Sequence, residues 1–250
     1  MQAHFGAEVL RAEWESCVTC IGTFDGVHLG HQAVIREAVR QARAKEQPCV
    51  LVTFDRHPMA VLNPDKRPPA IASLGRNLAQ FESLGVAVSV VLRFDEELSR
   101  TSAACFFERV LRSSIKAGSI VIGRDFAFGL NREGTPEWIA ERLPTIVVPP
   151  LEMGGRVSST AIRLAVAEGR VEEAARWLGR PFAVEGVVVQ GKKLGRRLGF
   201  PTVNVARSFD QVMPADGVYA GICTTDGGRF KAAVSVGIGP AAGGGPRIVE

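Results

Sequence analysis

The chain has 250 residues, of which 46% are hydrophobic and 22% are charged, as in an ordinary globular protein with one large domain or two smaller ones. Its net charge is only +4, and it has no long basic run with interleaved aromatic residues, which argues against nucleic-acid binding. No apolar stretch approaches the length that spans a bilayer, and Met1–Phe5 lacks the pattern of a signal peptide. We therefore expect no membrane partner and a cytoplasmic location, and five cysteines, an odd number, favour reduced thiols there.

Strand and helix patterns alternate through roughly the first 150 residues. Helical periodicity follows His31 and returns after Thr101 and Ser102. This alternation predicts an α/β fold with a mostly parallel sheet and helices on both faces. The apolar runs predict strands at 17–21, 49–54, 86–92, 119–122 and 145–148, and the periodic segments predict helices at 74–84 and around 106–111.

The first predicted strand contains Cys17 and Cys20, a spacing that also occurs in redox and metal motifs. Residues three apart in a strand point to opposite faces of the sheet. We therefore interpret both as core cysteines.

The pattern changes after two predicted helices at 161–168 and 171–178, which end at Gly169 and Gly179. Only short β-like runs separated by glycine turns follow Arg180 and Pro181, at 184–189, 203–205, 217–223 and 230–237. They predict a second, small antiparallel barrel. We place the two domains at 1–181 and 182–250.

The segment from Gly22 to His31 joins the first strand to the first helix through a glycine-rich turn. His28 and His31, three residues apart at the start of a helix, would project to the same side. Imidazoles beside a helix N-terminus suit a polyphosphate. The alternatives are packing histidines or a metal pair, but zinc ligands at suitable spacing are not evident.

Other polar segments also follow predicted strands, at 55–58, 123–129 and 157–160. Ligands of open α/β sheets bind outside the carboxyl ends of the strands, so these segments predict one site. In the last of them, Ser158, Ser159 and Thr160 are N-cap residue types before a helix whose first turn contains Arg163. This group suits phosphate oxygens, and the alternative is a capped helix with a surface arginine.

A second chemical cluster, at 191–204, is dense in glycine, lysine and arginine, which suits an anion. Thr202 and Asn204 would share a strand face and offer oxygens suited to Mg²⁺. The segment lacks the Gly-Lys-Ser/Thr ending of a Walker P-loop. The alternative is a solvated basic hairpin.

With these motifs in this order, the chain from about residue 18 to its last residue resembles the bacterial bifunctional riboflavin kinase/FAD synthetases. The resemblance implies a Rossmann-like nucleotidyltransferase domain that transfers AMP from ATP to FMN, and a barrel that phosphorylates riboflavin. Both steps would use ATP and Mg²⁺. The motifs are Gly22–His31, Thr53–Pro58, Gly123–Gly129, Ser158–Arg163 and Leu198–Asn204.

The resemblance also implies roles for particular residues. His28, His31 and Arg163 would be catalytic in adenylyl transfer, and Glu250 would take the proton from the ribityl hydroxyl in the kinase. Thr202 and Asn204 would bind the metal. ATP and its phosphates would be bound by Gly22, Phe24, Gly30, Asp125, Ser158, Ser159, Thr160, Gly191, Lys193 and Thr202, with Asp125 at ribose or metal, and the flavin by Phe54, Arg56 and His57.

The chain departs from the family pattern in the second domain. Gly239-Pro240-Ala241-Ala242 stands where the family has Asn-Pro-Thr-Phe, and the family continues with further strands and a helix beyond Glu250. We therefore expect an active adenylyltransferase and a weak or absent kinase.

The expected partners are small-molecule nucleotides and flavins, with the oligomeric state left open. One alternative function is an adenylyltransferase for another acceptor, which the segment from Phe54 to Pro58 disfavours. Another is a non-catalytic flavin- or nucleotide-binding relic, which the intact His28, His31 and Arg163 disfavour. A class I aminoacyl-tRNA synthetase would need a Lys-Met-Ser-Lys-Ser loop that the chain lacks.

Overall fold

The structure is a computed structural model that describes residues 1–7, 10, 12–190, 202–238 and 247–250. The chain forms two compact units, the first made of Met1–Ala70 and Leu74–Ser159 and the second of Ile71–Ser73 and Thr160–Glu250. Among the described residues, none of the helices combines the length and apolar character needed to cross a membrane.

In its described part, the first unit contains a six-stranded sheet whose neighbouring strands all run parallel. The order β1-β4-β3-β2-β5-β6 places β2 and β5 side by side in the interior of the sheet. Near-continuous apolar runs form the inner strands because both faces of a parallel sheet are covered. The strands are β1 (Gln2–Phe5), β2 (Cys17–Ile21), β3 (Cys49–Phe54), β4 (Val88–Leu92), β5 (Ala117–Gly123) and β6 (Thr145–Val148).

Helices cover both faces of this sheet, and the sheet divides the buried core of the unit into two clusters. Cys17 and Ile21 belong to one cluster, whereas Val18 and Cys20 belong to the other, as the alternation of a strand requires. The helices are α1 (Leu29–Ala44), α2 (Met59–Leu62), α3 (Leu74–Ser83), α4 (Glu96–Ser99), α5 (Ala103–Phe106), a π-helical segment (Phe107–Ser114), α6 (Pro136–Ala140), and two short 3₁₀ turns (Pro64–Lys66 and Leu130–Arg132).

The second unit contains an antiparallel sheet in the order β7-β8-β11-β10-β9. Met213, Val236 and Val249 form its buried cluster. Its elements are α8 (Val171–Leu178), β7 (Gly186–Val189), β8 (Asn204–Arg207), β9 (Gly217–Thr225), β10 (Gly228–Ile238) and β11 (Arg247–Val249), preceded by α7 (Ser159–Ala167), which begins at the last residue of the first unit.

The structure confirms the α/β class with a parallel sheet and the antiparallel second region. It corrects three details. β1 and β11 were not predicted, because β1 is a largely exposed strand without an apolar run and β11 has only three residues. Helix α1 begins at Leu29 rather than after His31. Helix α7 begins at Ser159, so Ser159 and Thr160 lie in its first turn and only Ser158 precedes it. Gly191, Lys193 and 239–242 lie outside the described residues.

Candidate active site

The turn between β2 and α1 has an unusual backbone. Phe24 has φ 48°, Gly26 has φ 75° and Val27 has φ 41°, all in the left-handed region. A branched residue such as Val27 rarely adopts this conformation, which costs about 1–3 kcal/mol at each non-glycine position. The surrounding structure must therefore hold the turn in place.

Side chains from three elements hold this turn. The Gly26 N–H donates to Asn77 Oδ1 on α3 at 3.2 Å, and Gln32 Nε2 on α1 donates to the Val27 carbonyl at 3.0 Å. Thr53 Oγ1 at the end of β3 donates to the Thr23 carbonyl at 3.1 Å. Asn77, Gln32 and Thr53 are all buried, so their hydrogen bonds are protected from competition with water.

His28 is the N-cap of α1, and its Nδ1 accepts a hydrogen bond from the His31 backbone N–H at 3.2 Å. The proton of the neutral His28 ring is therefore on Nε2. The two imidazoles stack with their centroids 3.6 Å apart and their planes 19° from parallel. Phe24 contacts His31 edge-on at 5.3 Å. The helix thus presents a paired imidazole surface at its N-terminus.

The glycines of the motif make room for aromatic rings. A Cβ added at Gly30 would lie 3.1 Å from the His28 ring, and one added at Gly22 would lie 3.1 Å from the Phe24 ring. Such contacts are tighter than van der Waals packing normally allows. Both positions therefore favour glycine.

Ser159, the last residue of the first unit, lies beside this turn. Its Oγ donates to the carbonyl of Asp25, in the segment that leads to His28, at 3.3 Å. Thr160 and Arg163 follow on α7, with Arg163 one helical turn after Ser159.

The end of β3 and the segment after it contain the three predicted flavin residues. The Phe54 ring contacts Phe94 edge-on at 5.5 Å, and His57 Nδ1 accepts the Met59 N–H at 3.1 Å. The exposed Arg56 guanidinium binds the Asp55 carboxylate at 2.7 Å. Each of these side chains is thus held by a neighbour.

Asp55 connects this segment to the next strand. Partial burial alone would raise the pKa of Asp55. Hydrogen bonds from Arg56 and the Phe94 backbone N–H, and the positive charges of Arg56 and Arg93, lower it by more than burial raises it. The pKa of Asp55 therefore lies below its usual value. Asp55 is therefore a carboxylate at neutral pH.

Asp125, after β5, is exposed and forms an ion pair with Arg156. Its carbonyl oxygen accepts a hydrogen bond from Arg132 at 3.1 Å. Since β5 neighbours β2, Asp125 lies on the same edge of the sheet as the histidine turn.

In the second unit, the Thr202 hydroxyl donates to the Glu250 carboxylate. Asn204 begins β8 and pairs with Val189 of β7, so Thr202 precedes the strand and the prediction that the two residues share a strand face is wrong. The structure thus brings Thr202 and Glu250 together, although they are separated by 48 positions.

The sequence motifs did not identify Asn77, Phe94 or Arg156. Asn77 carries a detectable signal, because it lies four positions before the buried Phe81 and so shares the inward face of α3. The ion pair of Arg156 has no comparable local signal, since its partner is 31 residues away.

Comparison with known proteins finds two families along the chain. The FAD synthetase family matches residues 10–161, and the riboflavin kinase family matches residues 178–250. A solved structure titled a macrolide-efflux protein, from Streptococcus pneumoniae, has a TM-score of 0.90 and 31% identity, covering 100% of this chain and 83% of that one. That title describes the other protein, and the likeness supports the fold.

Curated relatives share one description, bifunctional riboflavin kinase/FMN adenylyltransferase. The Listeria monocytogenes protein is 36% identical over 90% of this chain and 74% of its own length. The Bacillus subtilis protein is 34% identical over 93% and 75%, and the Escherichia coli K12 protein is 35% identical over 84% and 69%. With two matching family domains and relatives of this similarity, the chain belongs to the bifunctional riboflavin kinase/FMN adenylyltransferase family, which makes FAD from riboflavin by way of FMN.

Proposed function

We propose that residues 1–181 transfer the adenylyl group of ATP to FMN, and that His28 and His31 bind the phosphates of ATP. The stacked imidazole pair at the N-terminus of α1 carries this proposal. It lies at the carboxyl end of β2, beside β5, where chain connections leave the sheet in opposite directions. Nucleotides bind such sheets at this switch point.

In the proposed reaction, a phosphate oxygen of FMN forms a bond to the α-phosphorus of ATP. The bond from that phosphorus to the oxygen bridging to the β-phosphate breaks, and pyrophosphate leaves. No covalent intermediate with the enzyme is needed, so positioning and charge stabilisation supply the catalysis. The Nε2–H of His28 is oriented by its own cap hydrogen bond and can donate to a phosphate oxygen.

Phosphate binding would be shared with the start of α7. Ser158 and Thr160 would supply hydroxyls, Ser159 would supply a helix N-terminal N–H because its hydroxyl donates to Asp25, and Arg163 would supply a guanidinium. The hydrogen bond from Ser159 to Asp25 supports a role next to the histidine turn. Asp125 would contact the ribose or the metal. The backbone around Gly22, Phe24 and Gly30 would bind the adenine nucleotide. The flavin phosphate would be bound by Phe54, Arg56 and His57.

For residues 182–250 we propose phosphorylation of riboflavin by ATP, with Glu250 accepting the proton of the ribityl hydroxyl. The Thr202 hydroxyl and the Glu250 carboxylate already lie in contact, and Asn204 follows on β8. Gly191 and Lys193 would bind ATP phosphates.

Mg²⁺ belongs to this proposal as well. Thr202, Asn204 and Glu250 offer only hard oxygen donors, which fit Mg²⁺ with retained water and phosphate ligands. Thr202 and Asn204 would hold the ion, and when bound it would neutralise phosphate charge. Phosphate oxygens and water would complete the coordination.

We further propose that the chain acts on small molecules in the cytoplasm, without a nucleic-acid or membrane partner. All five cysteines carry free thiols, three of them buried. This is expected of a protein from a reducing compartment.

The test is product chromatography after incubation with Mg-ATP and FMN in one tube and riboflavin in another. FAD from FMN is the expected result, and a failure to form FAD would contradict the assignment. The riboflavin tube tests the proposed kinase activity of residues 182–250, and a failure to form FMN would contradict that part of the proposal. Nicotinamide mononucleotide and phosphopantetheine in parallel tubes test other acceptors, and tight FMN binding without turnover would favour a non-catalytic protein.

A further inference from the structure

The Gly22–His31 motif does not by itself explain how its strained turn is held. Left-handed backbone at Phe24 and Val27 persists only where neighbouring groups enforce it. A contact that enforces it also determines where His28, the next residue and the N-cap of α1, is placed. The neighbours of this turn therefore contribute to the geometry of the imidazole pair.

Helix α3 provides two such neighbours on one face. Asn77 accepts the Gly26 N–H at 3.2 Å, and Phe81, one turn later, contacts the Phe24 ring edge-on at 5.8 Å. Asn77 is 7% exposed and Phe81 is fully buried. One polar and one apolar contact from α3 thus hold Gly26 and Phe24, two of the left-handed residues of the turn.

The geometry points to Asn77 as a positioning residue for adenylyl transfer: by accepting the Gly26 N–H, it holds the turn that sets the orientation of His28 and His31. This inference rests on the proposed function of the histidine pair. The connection is short, because Gly26 is two residues before His28, and Phe24 contacts the His31 ring at 5.3 Å. Asn77 itself would not touch the substrate.

The test compares Asn77→Leu with Gln80→Leu in the full-length protein. Asn77→Leu removes the acceptor and keeps a side chain of similar size. Gln80→Leu makes the same kind of change on α3, at a partly exposed side chain. We expect kcat for FAD formation to fall by about tenfold to a hundredfold in Asn77→Leu, since small misplacements of catalytic groups have effects of this size. KM for FMN should change less than kcat, and Gln80→Leu should match the wild type.

A second readout does not depend on activity. The chain has only four histidines, so their ring-proton NMR signals can be assigned by single substitutions. Asn77→Leu should shift the signals of His28 and His31 and leave those of His4 and His57 unchanged. Asn77→Asp, which keeps an oxygen at the same position, should restore most of kcat and the wild-type signals.

These readouts separate the two hypotheses. Wild-type protein that makes no FAD would contradict the proposed function, whereas shifted histidine signals would still support the positioning role. Wild-type kcat together with unshifted signals in Asn77→Leu would overturn the positioning role. If Asn77→Leu does not fold, Asn77→Ser, which loses the carbonyl oxygen without adding apolar surface, decides by the same criteria.

Discussion

His28 combines a structural and a chemical role in one side chain. Its Nδ1 caps α1, and the same hydrogen bond keeps the ring proton on Nε2. The sequence predicted that the two imidazoles would lie together, because spacing alone places them on one side of a helix. It did not predict the cap, since histidine is not a typical N-cap residue.

The two roles of His28 can be separated by substitution. Asn is a strong N-cap residue without an imidazole, so His28→Asn should keep the stability of α1. We expect the rate of FAD formation to fall by about 10²–10³-fold, as for loss of one donor that stabilises transition-state charge. His4→Asn on β1 is the matched control. An unchanged rate of FAD formation in His28→Asn would contradict the catalytic role. A lower rate that is accompanied by a lower melting temperature, and so reflects unfolding, would contradict it as well.

The cysteines should differ sharply in reactivity. Burial, the largest cause, raises the pKa of Cys17 to about 11, and Cys20 and Cys49 are also buried. Thiolates are the reactive form, so iodoacetamide at about pH 8 should label the exposed Cys223 and the half-buried Cys105 first. Mass spectrometry of the folded protein checks this order. Early labelling of Cys17 or Cys20 would contradict the core interpretation of this pair.

At the scale of elements, apolar runs were sufficient to predict β2 to β6. β2 to β5 are paired on both sides inside the sheet, so their sequences reflect their surroundings directly, and the edge strand β6 keeps the apolar run at 146–148. The π-helical segment Phe107–Ser114 was predicted only as a helix, because its widened turn is not encoded in the positions of Phe107 and Leu111 alone. The ion pair between Asp125 and Arg156 could not be predicted either, since it depends on the tertiary path of the chain between two residues 31 positions apart.

The loop after β5 depends on Gly129 for a close approach between backbones. A Cβ at Gly129 would lie 2.5 Å from the Ala103 backbone nitrogen, and its φ is 76°. Gly154 has φ 68° but open space around it. Both Gly→Ala changes carry a left-handed cost of about 1–2 kcal/mol. The free energy of unfolding should fall by about 1–3 kcal/mol more in Gly129→Ala than in Gly154→Ala, because the added methyl group overpacks the loop. Urea denaturation of both variants measures this difference. Equal losses in the two variants would show that the approach is not tight.

At the scale of the whole molecule, the order of the two regions could be predicted because the local patterns change near residue 181. The sequence does not reveal which segments of the chain make up the second unit. It includes Ile71–Ser73, a segment far upstream, which is held by contacts with Gln211 and Glu185. The Ser73 hydroxyl donates to the Glu185 carboxylate at 2.7 Å. Contacts over such sequence separations leave no periodic pattern in the chain.

Gln211 is the centre of this arrangement, and it supports the last prediction. It is 1% exposed, and its Nε2 donates to the Ile71 carbonyl at 3.0 Å and to the Ala183 carbonyl at 2.7 Å. Gln211→Met keeps the length of the side chain but leaves both buried carbonyls without this donor, so the free energy of unfolding should fall by about 1–3 kcal/mol. Gln190→Met, at an exposed position, should stay within about 0.5 kcal/mol of the wild type. Urea denaturation of both variants measures the difference, and equal stability would mean that Gln211 does not hold Ile71–Ser73 in the second unit.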